Sequence, residues 1–315
     1  MTSGTEELTE LTVAATAARI RERKLSPLEL TQAYLARIER LNPKLNAYVT
    51  VTAQRALEDA RRATEEITKS GPRGPLHGIP IGLKDLFETE GVRTTAGAKF
   101  FADFVPKQDS TAARRLREAG SVLLGKLNTH EFAYGVTTDN PHFGATHNPW
   151  DPSRIPGGSS GGSGAAIAAS LATTTLGTDT GGSIRIPSSL CGAVGLKPTY
   201  GRVSKAGVFP QVFPLSRLFD HAGPIARTVE DSAIVLEAIA GYDATDPTTA
   251  RVPTERYRET LSRGVRGLRI GVPRRYFYDR LDDEVGTAVE AALGALRRLG
   301  AEVRDVEVTS SESAV

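Results

Sequence analysis

This chain of 315 residues has one cysteine, few aromatic residues and no long apolar run. A lone Cys191 excludes an intramolecular disulfide and suits a reducing compartment, and its apolar neighbours favour a buried residue over a nucleophile. The net charge of +2 gives no electrostatic reason for nucleic acid or an anionic membrane as a partner. No run approaches the roughly 18 apolar residues of a membrane span. The polar, acidic first residues are unlike a secretory signal. We therefore expect a cytoplasmic protein that binds neither nucleic acid nor membranes.

Metal-ligand spacing is also missing. His130 and Glu131 begin the H-E-x-x-H pattern of zinc enzymes, but Tyr134 stands where the second histidine is needed. The remaining histidines are not spaced as ligands either. We expect no metal site.

Two clusters rich in glycine and serine lie between Pro156 and Pro198. The first is GGSSGGSG, residues 157–164, and the second is TGGSIR, residues 180–185. Glycine lets backbone N–H groups approach a reacting atom closely, and serines among such glycines are candidate nucleophiles. The combination suggests acyl transfer.

The first cluster has three other interpretations. A flexible linker has this composition, but here the glycines run directly into the helix-forming segment AAIAASLA. A phosphate-binding P-loop needs Gly-Lys-Ser/Thr, which is absent. GGSSG fits the G-x-S-x-G pattern of a nucleophile elbow, a match that so many glycines and serines produce by chance.

An apolar, strand-like run, LHGIPIGLKD, ends with Lys84 and Asp85. A lysine after a buried strand is usually just the first exposed residue. A lysine at the edge of a dry pocket instead loses its proton near neutral pH and acts as a base, since burial disfavours the charged form. The sequence leaves both interpretations open.

Alternating strand and helix patterns predict an α/β protein. Ser26 and Pro27 begin a helix that the pair Asn42-Pro43 is expected to end. Residues 268–272, 282–299 and 302–308 read as strand, helix and strand of a βαβ unit. The inward stripe predicted for that last helix is Val285, Ala288, Val289, Ala292, Leu296 and Leu299.

Lys84 and the two clusters together resemble the motifs of the amidase signature family of serine hydrolases. The intervals from Lys84 to Ser159 and from Ser159 to Ser183 also fit that family. The similar segments span most of the chain: GIPIGLKD, TTAG, GKLNTHEFAYG, GATHNPWDPSRIPGGSSGGSGAA, LGTDTGGSIRIPSSLCGAVGLKPTYGRVS and DHAGPIARTVEDSA.

The resemblance implies a Ser-Ser-Lys triad. Ser183 is the expected nucleophile, Ser159 the bridging serine and Lys84 the base, with no metal or organic cofactor. The implied oxyanion hole consists of backbone N–H groups of Thr180, Gly181, Gly182 and Ser183.

Supporting roles follow for four more residues. The resemblance implies that Asp179 and Arg185 hold the nucleophile loop through an ion pair. Ser160, together with Ser163, stands at the start of the helix after the first cluster, where serine side chains cap helices.

The implied fold is a mixed β-sheet core covered by helices on both faces. We expect one domain over residues 1–315, with a helical region at 1–70, a catalytic core at about 71–240 and the βαβ segment at about 265–310. Family members generally continue further, so we expect the C-terminal part of the family fold to be absent and the chain to be truncated.

The leading prediction is an amidase that hydrolyses the C–N bond of a small-molecule amide through an acyl-serine. The alternatives are the A subunit of a glutamyl-tRNA amidotransferase, which releases ammonia for a second protein of the complex, and an inactive structural remnant. Two features argue against the first alternative. The net charge is low, and the segment at residues 206–224, AGVFPQVFPLSRLFDHAGP, differs from the usual sequence of that subunit. A homodimer or a partner subunit is equally compatible with the sequence.

Overall fold

A computed structural model describes residues 7–208 and 216–309 of the chain. They divide into two compact units, within Met1–Arg258 and Glu259–Val315. Part of the divergent segment at 206–224, residues 209–215, lies outside the described residues. The single domain over residues 1–315 and its internal boundaries stay a prediction.

In the described part of the first unit, six strands form one sheet: β1 (Tyr48–Val51), β2 (Pro80–Lys84), β3 (Val122–Leu127), β4 (Thr174–Asp179), β5 (Val194–Gly195) and β6 (His221–Ala226). Their order is β1-β3-β2-β4-β6-β5. The central strands β3, β2 and β4 run parallel, and the outer strands pair antiparallel. Parallel β2 and β4 end side by side, so residues at their carboxyl ends meet.

The helices precede, separate and follow these strands along the chain. They are α1 (Val13–Arg21), α2 (Pro27–Leu45), α3 (Ala53–Ser70), α4 (Thr111–Glu118), α5 (Gly161–Ala168), α6 (Arg185–Cys191), α7 (Val229–Ile239) and α8 (Tyr257–Thr260). Short 3-10 turns occur at Lys99–Phe101, Glu131–Ala133 and Leu261–Arg263.

Helices cover both faces of this sheet. On one face, Ile81 and Leu83 of β2 line a small cavity together with residues of α3 and α4. On the other, Gly177 of β4 lies against Ser160 and Ile184, the residues that precede α5 and α6. The predicted fold class, a mixed sheet with helices on both faces, is therefore confirmed.

The start of α2 is as predicted, but its end is not. Ser26 caps the helix by accepting a hydrogen bond from the Glu29 N–H at 3.1 Å. The helix continues through Pro43 to Leu45 and stops where Asn46 adopts a left-handed conformation. The Asn42-Pro43 pair is therefore the wrong stop signal, since a left-handed C-cap ends this helix.

The second unit contains the predicted βαβ arrangement. β7 (Arg269–Pro273) and β8 (Glu302–Val306) pair in parallel, and α9 (Asp283–Arg298) connects them. Asp282 caps α9 by accepting a hydrogen bond from the Glu284 N–H at 2.9 Å.

The inward stripe predicted for α9 is wrong. Val285 is 49% exposed and Leu299 62% exposed, whereas Leu293, outside the predicted set, is buried. A helix buries the side that meets its own sheet, and periodicity alone does not say which part of a broad apolar surface that is.

Among the described residues, no helix has the length and apolar character needed to cross a lipid bilayer.

Candidate active site

Lys84 is the last residue of β2 and is completely buried. Its Nζ donates to Ser159 Oγ at 2.6 Å and to Thr178 Oγ1 at 2.7 Å. Thr178 stands near the end of the neighbouring strand β4, so the sheet itself brings the two side chains together. Of the two interpretations of Lys84, the structure favours the buried one.

Burial lowers the pKa of Lys84 well below its ordinary value, and the negative charges of Asp179 and Asp220 oppose that shift. Lys84 forms no ion pair within the described residues; its partners are two neutral hydroxyls. A neutral amine that touches a serine hydroxyl is able to accept that proton.

Ser159 and Ser183 lie on separate segments that meet beside β4. Ser159 precedes α5 and is completely buried, and the peptide bond that joins it to Gly158 is cis. Ser183 lies on the loop from β4 to α6 and is 7% exposed, which leaves it the more accessible hydroxyl. The neighbouring Ser160 N–H donates to the Ser183 carbonyl at 3.2 Å.

Of the two side-chain contacts expected within the predicted triad, the structure shows one. Lys84 and Ser159 are hydrogen-bonded through their side chains. Across 7–208 and 216–309 we find no hydrogen bond between the hydroxyls of Ser159 and Ser183. The segment of Ser183 is instead joined through the backbone to Ser160, the residue after Ser159.

Gly158 shows a second use of the glycines in the first cluster. A Cβ atom there would lie 2.8 Å from the Thr137 nitrogen and the Val136 carbonyl carbon, both of which are backbone atoms. Contacts that close force the backbone to move. At this position glycine allows two chain segments to pack, which differs from the close approach to a reacting atom that the sequence predicts for the cluster.

Asp179 forms several hydrogen bonds to the loop that carries Ser183. Its buried carboxylate accepts hydrogen bonds from the N–H groups of Gly182 and Ile184 and from the guanidinium of Arg185, at 2.9 to 3.1 Å. Burial alone would raise the pKa of Asp179, but Arg185 and the backbone donors bring it below its ordinary value. The ion pair expected between Asp179 and Arg185 is present.

This arrangement conflicts with one expected oxyanion donor. The Gly182 N–H donates to Asp179 Oδ1 at 3.0 Å, so it is already used within the loop. The N–H groups of Thr180, Gly181 and Ser183 have no hydrogen-bond acceptor within the described residues. Gly182 has a φ of +133°, a backbone conformation that favours glycine, and it forms the bend of the loop between Gly181 and Ser183.

Thr180 is held from the opposite side. Its hydroxyl donates to Asp220 Oδ1 at 2.6 Å. Asp220 stands immediately before β6, and antiparallel pairing of Asp179 with His221 places it beside Thr180.

Ser160 and Ser163 do not cap α5, contrary to expectation. Ser160 makes no side-chain capping hydrogen bond; its hydroxyl donates to the Thr178 carbonyl at 3.2 Å. The hydroxyl of Ser163 donates to the Leu176 carbonyl at 3.2 Å. Both serines therefore tie α5 to β4, because their hydroxyls face the neighbouring strand rather than the free N–H groups.

Sequence reasoning missed three residues around this site. Thr178, the second partner of Lys84, carried no signal beyond its place two residues before the second cluster. Lys126 of β3 and Asp85 form a second buried pair next to Lys84, with 3.7 Å between Lys126 Nζ and Asp85 Oδ1. Asp85 directly follows Lys84, and an acidic residue at the end of a buried run was a usable signal.

The single thiol and the histidines add no further reactive group to this site. Cys191 is buried, and burial raises the pKa of its thiol to about 12. Within the described ranges, no three His, Cys, Asp or Glu side chains are grouped closely enough to hold a metal ion.

Comparison with known proteins places this geometry in a family. The sequence model of the Amidase family matches residues 29–315. The A subunit of the glutamyl-tRNA(Gln) amidotransferase of Geotalea daltonii is 50% identical over 309 residues, which is 98% of this chain and 63% of that protein.

Solved structures agree. A peptide amidase from Stenotrophomonas maltophilia is 40% identical, with a TM-score of 0.87 over 96% of this chain and 63% of that one. The A subunit of a glutamyl-tRNA(Gln) amidotransferase from Thermotoga maritima is 35% identical, with a TM-score of 0.83 over 98% and 63%. This chain spans about 63% of the length of these relatives. By sequence and by fold, it belongs to the amidase signature family.

Proposed function

We propose that this protein cleaves the C–N bond of a carboxylic amide through an acyl intermediate on Ser183. The observation that carries the proposal is the buried Lys84, whose Nζ lies 2.6 Å from Ser159 Oγ and which forms no ion pair within the described residues. Burial lowers the pKa of this lysine well below its ordinary value, which favours the neutral amine that can act as a base.

The relay follows from the order of the groups. Ser183 Oγ attacks the amide carbonyl carbon while its proton passes to Ser159 Oγ, and the Ser159 proton passes to Lys84 Nζ. The protonated Lys84 then returns a proton through Ser159 to the leaving nitrogen, which departs as an amine or ammonia. This relay requires the two serine hydroxyls to come into contact when substrate binds.

The tetrahedral oxyanion needs donors that are free in the resting enzyme. Thr180, Gly181 and Ser183 have backbone N–H groups that meet this requirement, and Gly182 does not. One such donor contributes roughly 3 kcal/mol to transition-state stabilisation. Asp179 and Arg185 fix the loop that carries these groups.

Water that attacks the acyl-Ser183 ester completes hydrolysis, and no cofactor is needed. A small-molecule amide is the substrate class that we propose, and the cytoplasm the compartment that suits the single buried thiol.

A second candidate function is that of the A subunit of an amidotransferase. The observation that favours it is the 50% identity to the Geotalea daltonii protein over 98% of this chain. The same acyl-Ser183 would then form from glutamine, and the ammonia released would serve a partner subunit. The third alternative, an inactive structural protein, predicts that Ser183 is not acylated at all.

Intact-mass measurement after exposure to a fluorophosphonate probe tests the first step. We expect one adduct on the wild-type chain and none on Ser183→Ala or Lys84→Ala. Ser163→Ala is the matched control. Ser163 is a serine of the first cluster that is as completely buried as Ser159, and its variant should keep the adduct. A folded wild type that takes no adduct would overturn the proposal.

Ammonia release separates the two candidates. We would compare glutamine with a panel of simple aliphatic and aryl amides, with and without partner subunits from a related amidotransferase. Turnover of simple amides by the chain alone supports the amidase. Turnover of glutamine that requires the partner subunits supports the amidotransferase.

A further inference from the structure

Asp220 forms a hydrogen bond with Thr180, the first residue of the loop that carries Ser183. Its Oδ1 accepts a hydrogen bond from the Thr180 hydroxyl at 2.6 Å. The Ser216 N–H donates to both of its carboxylate oxygens at 3.2 Å, which fixes the carboxylate in place. This aspartate is neither a member of the proposed relay nor a donor to the oxyanion.

Two carboxylates therefore hold the same short loop from opposite sides. Asp179 binds the N–H groups of Gly182 and Ile184, and Asp220 binds the Thr180 side chain. The N–H groups that have no acceptor in the described structure, on Thr180, Gly181 and Ser183, lie along the segment that these two residues fix. A loop held at both ends presents its donors in one orientation, which is the requirement for oxyanion stabilisation.

The same two carboxylates lie near Lys84: its hydroxyl partner Thr178 is followed by Asp179 and then by Thr180, which bonds to Asp220. Their negative charges oppose the lowering of the Lys84 pKa by burial. The other charged groups around it are already paired: Asp85 at the end of β2 faces Lys126 of β3, and Arg185 of α6 faces Asp179. Because Arg185 offsets much of the charge of Asp179, Asp220 is the carboxylate whose charge is less compensated by a cation.

Two further titratable groups lie beside Asp220, after β5 and at the start of β6. Lys197 Nζ lies 3.3 Å from His221 Nε2. Burial lowers the pKa of His221, which favours the neutral form of its ring. Neither group forms an ion pair with Asp220 within residues 7–208 and 216–309.

Charge at this point matters during the reaction. When Ser183 attacks, a proton arrives on a completely buried Lys84, which becomes positive where desolvation disfavours a cation. A nearby carboxylate that is not itself bonded to Lys84 stabilises that cation, and the same charge raises the pKa of the resting lysine against the effect of burial.

We propose that Asp220 is a positioning residue with two separable effects: its hydrogen bond orients Thr180 within the oxyanion loop, and its charge stabilises the protonated Lys84 formed as Ser183 attacks. This inference rests on the proposed acyl-serine function.

Two nearly isosteric variants separate the effects. Thr180→Val removes the hydrogen bond and keeps the charge. Asp220→Asn keeps an oxygen that accepts from Thr180 and removes the charge. The measured quantity is the rate of Ser183 phosphonylation by a fluorophosphonate across a pH series, which requires no knowledge of the natural substrate.

The two variants should differ in their pH profiles. Labelling rises with pH as Lys84 loses its proton. Without the negative charge of Asp220 the pKa of Lys84 falls further, so in Asp220→Asn the rise shifts to lower pH and the plateau rate drops, since a weaker base remains. Thr180→Val should lower the plateau roughly tenfold, the lower range for one hydrogen bond to a charged group, and leave the position of the rise unchanged.

Matched controls use a second hydroxyl–carboxylate pair. Ser153 Oγ donates to Asp151 Oδ1 at 2.7 Å in an exposed turn, so Ser153→Ala and Asp151→Asn make the same chemical changes there. Both should retain the wild-type profile. Thermal unfolding of every variant shows whether a lost rate reflects a lost fold.

The outcomes distinguish this inference from the function beneath it. If the wild type takes no adduct on Ser183, the proposed function fails. If the wild type is labelled but Asp220→Asn keeps its pH profile and plateau, the role of Asp220 is wrong. A shift of the profile in Thr180→Val equal to that in Asp220→Asn would also overturn it, because the charge would then not be the cause.

Discussion

Two lysines on neighbouring strands are both completely buried, yet their surroundings differ in one respect. Lys84 of β2 contacts the hydroxyls of Ser159 and Thr178. Lys126 of β3 donates to the Phe87 carbonyl and to Thr94 Oγ1, and it faces the buried carboxylate of Asp85 at 3.7 Å. Lys84 contacts neutral hydroxyl groups, whereas Lys126 has a carboxylate of opposite charge nearby.

The difference indicates separate tasks for the same side chain. Burial lowers the pKa of Lys126 to about 8, while Asp85 acts in the opposite direction and favours its charged form. Among the residues that the structure describes, no carboxylate contacts Lys84, and burial lowers its pKa well below the ordinary value, which favours the neutral amine. We therefore expect Lys84 to matter for chemistry and Lys126 for stability, and substitutions at the two lysines should have different consequences.

The largest expected effect is on the labelling rate of Lys84→Met. Loss of the base should slow the reaction of Ser183 with a fluorophosphonate about 10²- to 10⁴-fold, the contribution of a general base. The control is Lys69→Met, an exposed lysine at the end of α3, which should react as the wild type does. Unchanged labelling in Lys84→Met would show that Lys84 is not the base.

Lys126→Met should chiefly reduce stability. It leaves the carboxylate of Asp85 buried without its counter-charge, which typically lowers the free energy of unfolding by about 3–5 kcal/mol. Urea denaturation measures the change. The double variant Asp85→Asn/Lys126→Met removes both charges and should recover part of the loss; a single variant as stable as the wild type contradicts the pairing.

Thr178→Val should have a smaller effect on activity. It removes one of the two hydroxyl partners of Lys84, and we expect labelling of Ser183 to fall roughly tenfold with about 1 kcal/mol lost in stability. Thr175→Val is the matched control on the same strand, because its hydroxyl donates to the Ile225 carbonyl at 3.2 Å. Equal labelling rates in the two variants would argue against a role for Thr178.

The smallest expected effect is on the pH dependence of stability. A lysine whose pKa is lowered in the folded state binds fewer protons there than in the unfolded chain, so the free energy of unfolding rises with pH between the two pKa values. For Lys126 that window runs from about 8 to roughly 10.4, the value for an unfolded lysine. Lys84 adds to the same rise, so Lys84→Met should show a shallower slope than Lys69→Met in urea denaturation across this range. Equal slopes would mean that Lys84 is not neutral in the folded protein.

The residues of the predicted site lie at ends of strands and starts of helices, where sequence patterns are clearest. The apolar run before Lys84 predicted a strand that ends on that residue, and the structure has β2 end there. Such patterns are local, so the sequence carries them directly.

The errors concern partners rather than places. Ser160 was expected to cap α5 but bonds to Thr178, and the Gly182 N–H was expected to face substrate but bonds to Asp179. In each case a polar group found a partner on another segment: the Ser160 hydroxyl donates to a strand carbonyl instead of accepting from a helix N–H, and the Gly182 N–H donates to Asp179. Which partner such a group takes depends on where a neighbouring segment lies, and sequence spacing does not give that.

By itself, the sequence determined the fold class, the strand that ends in Lys84 and the two clusters that carry Ser159 and Ser183. The tertiary structure decided that Lys84 is buried and that Thr178, 94 residues away, is its second partner. It also decided that Lys126 faces a carboxylate of opposite charge, whereas no carboxylate contacts Lys84 within the described residues. The physical reason is that strand and helix patterns arise from neighbouring residues. The protonation state of a lysine is set by solvent exclusion and charges that distant segments bring together.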